Sequence, residues 1–157
     1  MKERGFTLVE LMVVMVVIGI LLSIATLNFN HYTKKAGMES QIRILHGDLM
    51  RARTQAMFTR RPSSVVVTGS AYSIYSSSVI SVSPVERKTL PHPIEWSGGT
   101  GEINFDTNGL VTSDICVCLS PSDNPAAFDS VVLTTTSTRI GKRTAGGACA
   151  TANITAQ

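Results

Sequence analysis

Glu10 is the residue of this sequence whose surroundings most clearly require a chemical partner. Between Phe6 and Leu27 it is the single charged residue of an apolar run. A carboxylate inside a membrane segment costs about 2.5–3.5 kcal/mol on insertion scales, so it usually has a partner or a path to water. Two interpretations stay open. Either Glu10 lies near the helix end and reaches the lipid headgroups, or it pairs with a cation supplied by another subunit.

The short polar leader, residues 1–5, indicates one source of such a cation. Cleavage after Gly5 would remove this leader, keep the apolar helix and create a new α-amino group on Phe6. A secretory signal peptide would instead have a shorter apolar region with a small-residue cleavage site after it. A neighbouring helix shifted by about one turn would bring its amine against Glu10. Neutralising both charges in lipid would then favour assembly.

The apolar run predicts a membrane-spanning helix over residues 6–28. About 22 residues give a helix of about 33 Å, enough to cross the hydrocarbon core of a bilayer. Lys2 and Arg4 precede the run, and Lys34 and Lys35 follow it, so charge alone does not set the orientation. The cysteines in the rest of the chain favour a body outside the cytoplasm.

This N-terminus resembles the class III signal of the type IV pilin-like proteins. Gly5-Phe6-Thr7-Leu8-Val9-Glu10-Leu11 matches the signal residue by residue, and Ile18-Gly19-Ile20-Leu21 continues the match. The resemblance implies cleavage after Gly5 by a prepilin peptidase, methylation of the Phe6 amine, and contact between Glu10 and the Phe6 amine of an adjacent subunit. It also implies an inner-membrane anchor, a body in the periplasm, and assembly into a pilus or pseudopilus.

Length and composition allow one compact domain after the anchor. The chain has 157 residues. Removing about 30 for the anchor leaves roughly 125, enough for a single hydrophobic core. The net charge of +3 is too small to imply a nucleic-acid partner by itself.

The helix is expected to continue past the membrane, over residues 29–61. Its apolar residues recur at spacings of three and four, which is one face of an α-helix. They are Ile42, Leu45, Leu49, Ala52 and Ala56, whereas Arg43, His46, Asp48, Arg51 and Arg53 fall mostly off that face. Pro62 ends the segment, because proline cannot continue a helix.

From residue 62 to residue 157 the pattern changes to short β-prone runs separated by turn residues. The predicted strands are Ser64–Thr68, Ala71–Ser76, Val79–Val82, Glu102–Phe105, Ile115–Leu119, Ser130–Thr135 and Thr138–Lys142, with a short extended piece around Ile94–Trp96. Hairpin turns are expected at residues 68–70 and 106–109. The tail from Thr144 is expected to be loose unless Cys149 tethers it. The fold class is therefore α+β, with a long N-terminal helix packed on an antiparallel β-sheet body.

This arrangement resembles the GspH/FimT family of minor pilins and pseudopilins. The helix residues Leu45, Leu49, Ala52-Arg53 and Ala56 match its pattern, and Ile103-Asn104-Phe105 followed by Gly109 matches its strand-turn signature. Arg139-Ile140-Gly141-Lys142-Arg143 lies where that family often has a Gly-Arg-x-Arg segment.

Three cations near the C-terminus form a candidate DNA site. In FimT-like pilins this region is associated with DNA capture, which would use Arg139, Lys142 and Arg143 for phosphate contacts. The alternative is a solvated strand end. Lys142 would be a poorer bidentate phosphate partner than arginine, and no aromatic residue lies within the cluster to stack on bases.

The three cysteines predict at most one disulfide. Cys116 and Cys118 are two apart, so on a strand both point to one side, and a bond between them would be strained. Cys149 bonded to one of them would attach the tail to the sheet. The alternative is three unpaired thiols. A zinc site is not expected, because His92 lies far off in a proline-rich loop.

We expect no enzymatic activity, no cofactor and no metal, since no catalytic arrangement of residues stands out. The leading hypothesis is a minor pilin or pseudopilin, a structural subunit of a type IV pilus or type II secretion pseudopilus. Its partners would be other pilin subunits, the prepilin peptidase and the inner membrane. The second hypothesis is a pilus-associated DNA-binding pilin acting in DNA uptake. A stand-alone anchored protein would leave Glu10 and Gly5-Phe6 unexplained.

Overall fold

The computed structural model describes residues 6–156, apart from the side chains of residues 25–28. Its helix α1 runs from Leu8 to Thr59. The strands are β1 (Ser63–Thr68), β2 (Ala71–Tyr75), β3 (Glu86–Thr89), β4 (Ile94–Trp96), β5 (Glu102–Phe105), β6 (Ile115–Leu119), β7 (Ser130–Leu133), β8 (Thr138–Arg143) and β9 (Ile154–Ala156). The chain divides into two units, Met1–Lys34 and Lys35–Gln157, and the predicted division into leader, anchor, helix and body stays a prediction.

The N-terminal unit is an apolar helix with no core of its own. Thr7 caps its start, because the Thr7 hydroxyl oxygen accepts a hydrogen bond of 3.2 Å from the backbone N–H of Glu10. Its large apolar side chains are exposed all round, from Leu8 at 77% to Ile24 at 56%. Among the described residues, α1 is the one helix long and apolar enough to cross a membrane.

In the second unit, α1 buries the face that its sequence predicts. The buried apolar residues of this part of the helix are Met38, Ile42, Leu45, Leu49, Ala52 and Ala56. They pack against inward-facing residues of both sheets, such as Val65, Phe105, Val117 and Leu133. Burial of this apolar face is what holds the helix to the body, because the hydrophobic effect is the main favourable term in folding.

The body contains two antiparallel sheets. One has the strand order β3-β2-β1-β5 and the other the order β4-β6-β7-β8-β9. The turn at residues 69–70 closes β1 onto β2, with Thr68 paired to Ala71. The α+β prediction of a long helix with an antiparallel β-sheet body is confirmed, and its strands divide between these two sheets.

The predicted turn at residues 106–109 is present and packs on the helix. The Asp106 carboxylate accepts hydrogen bonds from the backbone N–H groups of Asn108 (2.8 Å) and Leu110 (2.7 Å). Gly109 has φ +71, and a Cβ placed there would lie 2.7 Å from Cγ of Met57. Only glycine fits this position without strain, because it combines a positive φ with a close neighbour.

The sequence pattern failed to predict two strands, and one strand that it did predict is wrong. The segment Val79–Val82 pairs with none of the described strands and lies in the loop between β2 and β3. The missed strand β3 reads Glu-Arg-Lys-Thr, a charged sequence that does not look β-forming. The missed strand β9 lies in the tail, which the sequence predicts to be loose unless Cys149 tethers it, and it pairs with β8.

Candidate functional site

Glu10 is an exposed carboxylate on the apolar helix of the N-terminal unit. Within residues 6–156 it forms no ion pair, and its neighbours three and four positions away are Phe6, Thr7, Val13 and Val14, none of them charged. Phe6, the residue that cleavage would place first, is 84% exposed. Gly5 and the leader lie outside the described residues. A charge in these surroundings requires a cation or water from beyond the described part of the chain, because isolated ions are costly in an apolar medium.

The three C-terminal cations do not form one open surface. They lie on β8, but Arg143 is 2% exposed and donates a hydrogen bond of 3.1 Å from Nη1 to the Glu95 carboxylate. A second guanidinium nitrogen, Nη2, donates to the backbone oxygen of Leu119. Lys142 is paired at 3.0 Å with Asp129. Of the three, only Arg139 is exposed without such a partner.

The interpretation of Arg139, Lys142 and Arg143 as a phosphate-binding group is therefore corrected. A phosphate would have to displace the carboxylates of Asp129 and Glu95 and reach a buried guanidinium. One exposed arginine supplies little of the multiple charge neutralisation on which DNA binding depends. The DNA-uptake alternative is not retained.

The partner of Lys142, Asp129, is a buried carboxylate that the sequence analysis did not identify. Its side chain is fully buried. Burial alone would raise its pKa, but the Arg143 backbone N–H, the Ser130 hydroxyl, the Lys142 ammonium and the Asn124 amide all donate hydrogen bonds to it. These donors hold the pKa of Asp129 below its ordinary value of 3.8. The carboxylate thereby fixes the end of β8 against the loop that precedes β7.

A second buried carboxylate, Asp48, joins the helix to the first sheet. The prediction that Asp48 lies off the buried face was wrong, because Asp48 is only 9% exposed. It accepts hydrogen bonds from the Tyr72 hydroxyl and, at 2.6 Å, from Lys88 Nζ. Burial, together with the hydrogen bond to Asp48, raises the pKa of Tyr72. Its position three residues after Leu45 and four before Ala52 was the signal that could have found it.

The structure joins Cys118 to Cys149, so one disulfide with one spare thiol is present. The two Cα atoms are 5.9 Å apart, which is an ordinary spacing for a disulfide. Cys116 is a free, buried thiol, and Cys149 Sγ lies 3.6 Å from its backbone oxygen. Burial raises the pKa of the Cys116 thiol. The bond attaches the tail to β6, on the face of the strand opposite to the core residue Val117.

Residues 6–156 contain no group of three or more His, Cys, Asp or Glu side chains placed to hold a metal ion. The described residues do offer ionic and structural contacts. These comprise one unpaired carboxylate on an apolar helix, two buried carboxylate networks in the body, and one disulfide.

The chain is similar to known proteins in its N-terminus, over much of its length and in its fold. Residues 1–26 match the prokaryotic N-terminal methylation motif. The type II secretion system protein H of Pseudomonas aeruginosa is 31% identical over 109 residues, which are 68% of this chain and 60% of that protein. The chain therefore spans less than two thirds of the length of this relative. The crystal structure of the type IV minor pilin FimU of Pseudomonas aeruginosa has a similar fold, with a TM-score of 0.52 at 16% identity, covering 64% of this chain and 90% of that one.

Proposed function

We propose that this type IV pilin-like chain is a minor pilin or pseudopilin, a structural subunit of a type IV pilus or of a type II secretion pseudopilus. The observation that carries the proposal is Glu10, a carboxylate with no ion pair among residues 6–156, on an apolar helix within the methylation motif. The 31% identity to a type II secretion protein supports it. No enzymatic role is proposed, because the described residues offer ionic and structural contacts rather than a reactive centre.

The proposed assembly step begins with the leader. A prepilin peptidase in the inner membrane cuts after Gly5, and the new amine of Phe6 is then methylated. An α-amino group has a pKa of about 7.7–8.0, so it is mostly cationic at neutral pH. Phe6 lies about 6 Å before Glu10 along the helix axis, so pairing with the carboxylate of a neighbouring subunit offsets the two helices by about one turn. This offset sets the register of the subunits.

The proposed location follows from the same helix. The apolar segment anchors the subunit in the inner membrane, and on assembly it leaves lipid for the core of the filament. The body lies in the periplasm, an oxidising compartment that suits the Cys118–Cys149 disulfide. In the filament, the body faces outward and contacts other pilin-like subunits.

The test is to remove the charge of Glu10 while keeping its shape. We expect Glu10→Gln to insert into the membrane as well as the wild type does. Its recovery in sheared filaments should fall at least about tenfold, because the Phe6 amine of the neighbour then has no counter-ion in the apolar core. Quantitative immunoblots of membrane and filament fractions measure both. Glu10→Asp is the control and should retain part of the assembly.

Recovery of Glu10→Gln in filaments at the wild-type level would overturn the pairing role of Glu10. Absence of the wild-type chain from filaments, in a cell that makes them, would overturn the proposed function itself. N-terminal sequencing of the mature chain gives an independent check, since the proposal requires that it begin at Phe6.

A further inference from the structure

The last turn of α1 and the residues that follow it expose a surface that joins apolar and cationic side chains. Phe58 is 84% exposed, more than any other large apolar side chain described in the second unit, and Met57 beside it is 51% exposed. Arg60 and Arg61, which come directly after the helix, are also exposed. We call these four residues the helix-end surface. Aromatic residues, methionine and arginine are the types enriched in protein–protein interfaces, so this surface has the composition of a contact.

Two shallow cavities flank Phe58. This residue follows the buried Ala56 by two positions, so it lies on the opposite, solvent-facing side of the helix. One cavity, of about 430 Å³, is lined by Met57, Arg60, Thr107 and Asn108. The other, of about 300 Å³, is lined by Gln55, Thr59, Arg61, Ser63 and Ser76. Each cavity contains one of the two arginines. Ligand sites have volumes of about 300–1,000 Å³, so these small cavities suit side chains of a partner rather than a large ligand.

Arg60 has a backbone conformation that normally belongs to glycine. Its φ is +50, and among residues 6–156 it is the one non-glycine residue with a positive φ. Helices often end on such a left-handed residue, which is usually glycine because a Cβ is strained there. Strained residues of this kind cluster at binding sites. The macrodipole of α1 favours a cation near its C-terminus, but an unstrained cation would serve equally. The side chain of Arg60 therefore indicates a contact that needs its guanidinium.

The chain around this surface has cations without anions. Residues 49–85 include four arginines and no acidic residue. Two of the arginines are engaged in the body, since Arg51 pairs with a carboxylate of β3 and Arg53 donates to a backbone oxygen. Within residues 6–156, Arg60 and Arg61 form neither a hydrogen bond nor an ion pair. A partner that complements them must carry carboxylates, because opposite charges meet across protein interfaces.

The arrangement of the two cations fits an acidic protein better than a nucleic acid. Nucleic-acid binding depends on neutralising several phosphates at once. Arg60 and Arg61 are only two cations, and they lie in different cavities on either side of Phe58. A protein segment can instead place a carboxylate in each cavity and an apolar side chain on the ridge between them.

We propose that the helix-end surface binds a protein subunit of different sequence, through a segment in which carboxylates flank an apolar side chain. The carboxylates pair with Arg60 and Arg61, and the apolar side chain covers Phe58. Arginine and aromatic residues of this kind supply much of the binding energy at interfaces. The inference rests on the proposed function, because a minor subunit lies among other proteins rather than among its own copies.

A photoreactive side chain at position 58 tests the contact. In cells that make filaments, the full-length chain carries p-benzoylphenylalanine in place of Phe58, which keeps an exposed aromatic ring there. We expect irradiation to link the chain to another protein subunit. Mass spectrometry of the linked peptide should find Asp or Glu residues on both sides of the attachment point.

Reversing the charge of the two arginines tests the chemistry of the partner. Arg60→Glu with Arg61→Glu should lower the yield of the linked product at least about tenfold, because like charges then face each other. The matched control, Arg87→Glu with Arg139→Glu, changes two other exposed arginines and should leave the yield within about twofold of the wild type. Lysines in place of the identified carboxylates of the partner should restore the yield with the glutamate variant.

Arg60→Gly separates binding from stability. Glycine removes the strain of the positive φ, so this variant should unfold at a temperature no lower than the wild type does. Its linked product should still fall by about threefold, the effect of one partly exposed ion pair. A purely structural role for Arg60 predicts an unchanged yield, and that result would overturn the assignment of this residue.

The outcomes separate this inference from the proposed function. Wild-type chain in filaments, with no product from position 58, overturns the helix-end contact. So does a product that is insensitive to Arg60→Glu with Arg61→Glu, or one formed with a segment lacking Asp and Glu, a phospholipid, a nucleic acid or a second copy of this chain. A charge-dependent product with an acidic segment, without any chain in filaments, supports the contact and refutes the filament role. Absence of both the product and the filament refutes both.

Discussion

Replacing Asp129 by alanine is the strongest test of the buried network in the body. The carboxylate is fully buried and accepts hydrogen bonds from the backbone N–H of Arg143 at 2.8 Å and from Lys142 Nζ at 3.0 Å. Breaking a buried ion pair costs about 3–5 kcal/mol. The Lys142 side chain is 32% exposed and can turn toward water, so the lower end, about 3 kcal/mol, is expected.

This loss corresponds to a large change in thermal stability. For a domain of this size, 1 kcal/mol shifts Tm by about 3–5 °C, so Asp129→Ala should lower it by about 10–15 °C. The assay is thermal unfolding of the full-length chain in detergent, followed by near-ultraviolet circular dichroism. Asp123→Asn is the matched control, because this exposed carboxylate in the same loop should change the free energy of unfolding by no more than about 0.5 kcal/mol.

The pH dependence supplies an independent readout of the same carboxylate. The pKa of Asp129 is lowered from 3.8 by folding, so its contribution to stability is fully present above that value and is lost as the pH falls through the folded pKa. The isosteric Asp129→Asn variant should therefore lose less stability than the wild type as the pH falls from about 5 toward about 1, because only the wild-type carboxylate becomes protonated over this range. A Tm within about 2 °C of the wild type, or an unchanged acid slope, would refute the reasoning.

Three further substitutions test the placement of other residues. Arg143→Met should lower the free energy of unfolding by about 1–3 kcal/mol in urea titrations, because Glu95 and the Leu119 carbonyl lose their donor. The control Arg139→Ala should change this free energy by no more than about 0.5 kcal/mol. Equal effects of the two substitutions would contradict the burial of Arg143. Gly109→Ala should destabilise by about 1–3 kcal/mol because of its φ of +71 and its contact with Met57, and a neutral result there would argue against this turn.

Much of the fold could be predicted because it depends on local periodicity. The apolar run around Glu10 predicts the exposed apolar start of α1, and the spacing from Ile42 to Ala56 predicts the buried face of α1. The turn at Asp106 could also be predicted, since aspartate and glycine at that spacing favour one backbone conformation. Each of these features depends on residues within a few positions of one another.

The misses share a different physical origin. The strand β3 reads as a charged loop, and it is held in place because Lys88 reaches Asp48 on the helix, forty positions away along the chain. The strand β9 is held by the Cys118–Cys149 bond and by β8. In contrast, Val79–Val82 has strand-forming residues but no neighbouring edge. Strand formation depends on a partner, so propensity alone decided none of these three segments.

The sequence by itself determined the long apolar helix, the position of its carboxylate and the amphipathic part of α1, because helical periodicity and hydropathy are local properties. Only the tertiary structure decided which charges on β8 are available to a ligand. The sequence indicates that Lys142 and Arg143 are free cations. In the structure, strand pairing brings Asp129 and Glu95 close, so that Lys142 pairs with Asp129 and Arg143 with Glu95. Whether a charge is available to a ligand depends on its neighbours in space, and those are set by the packing of distant strands.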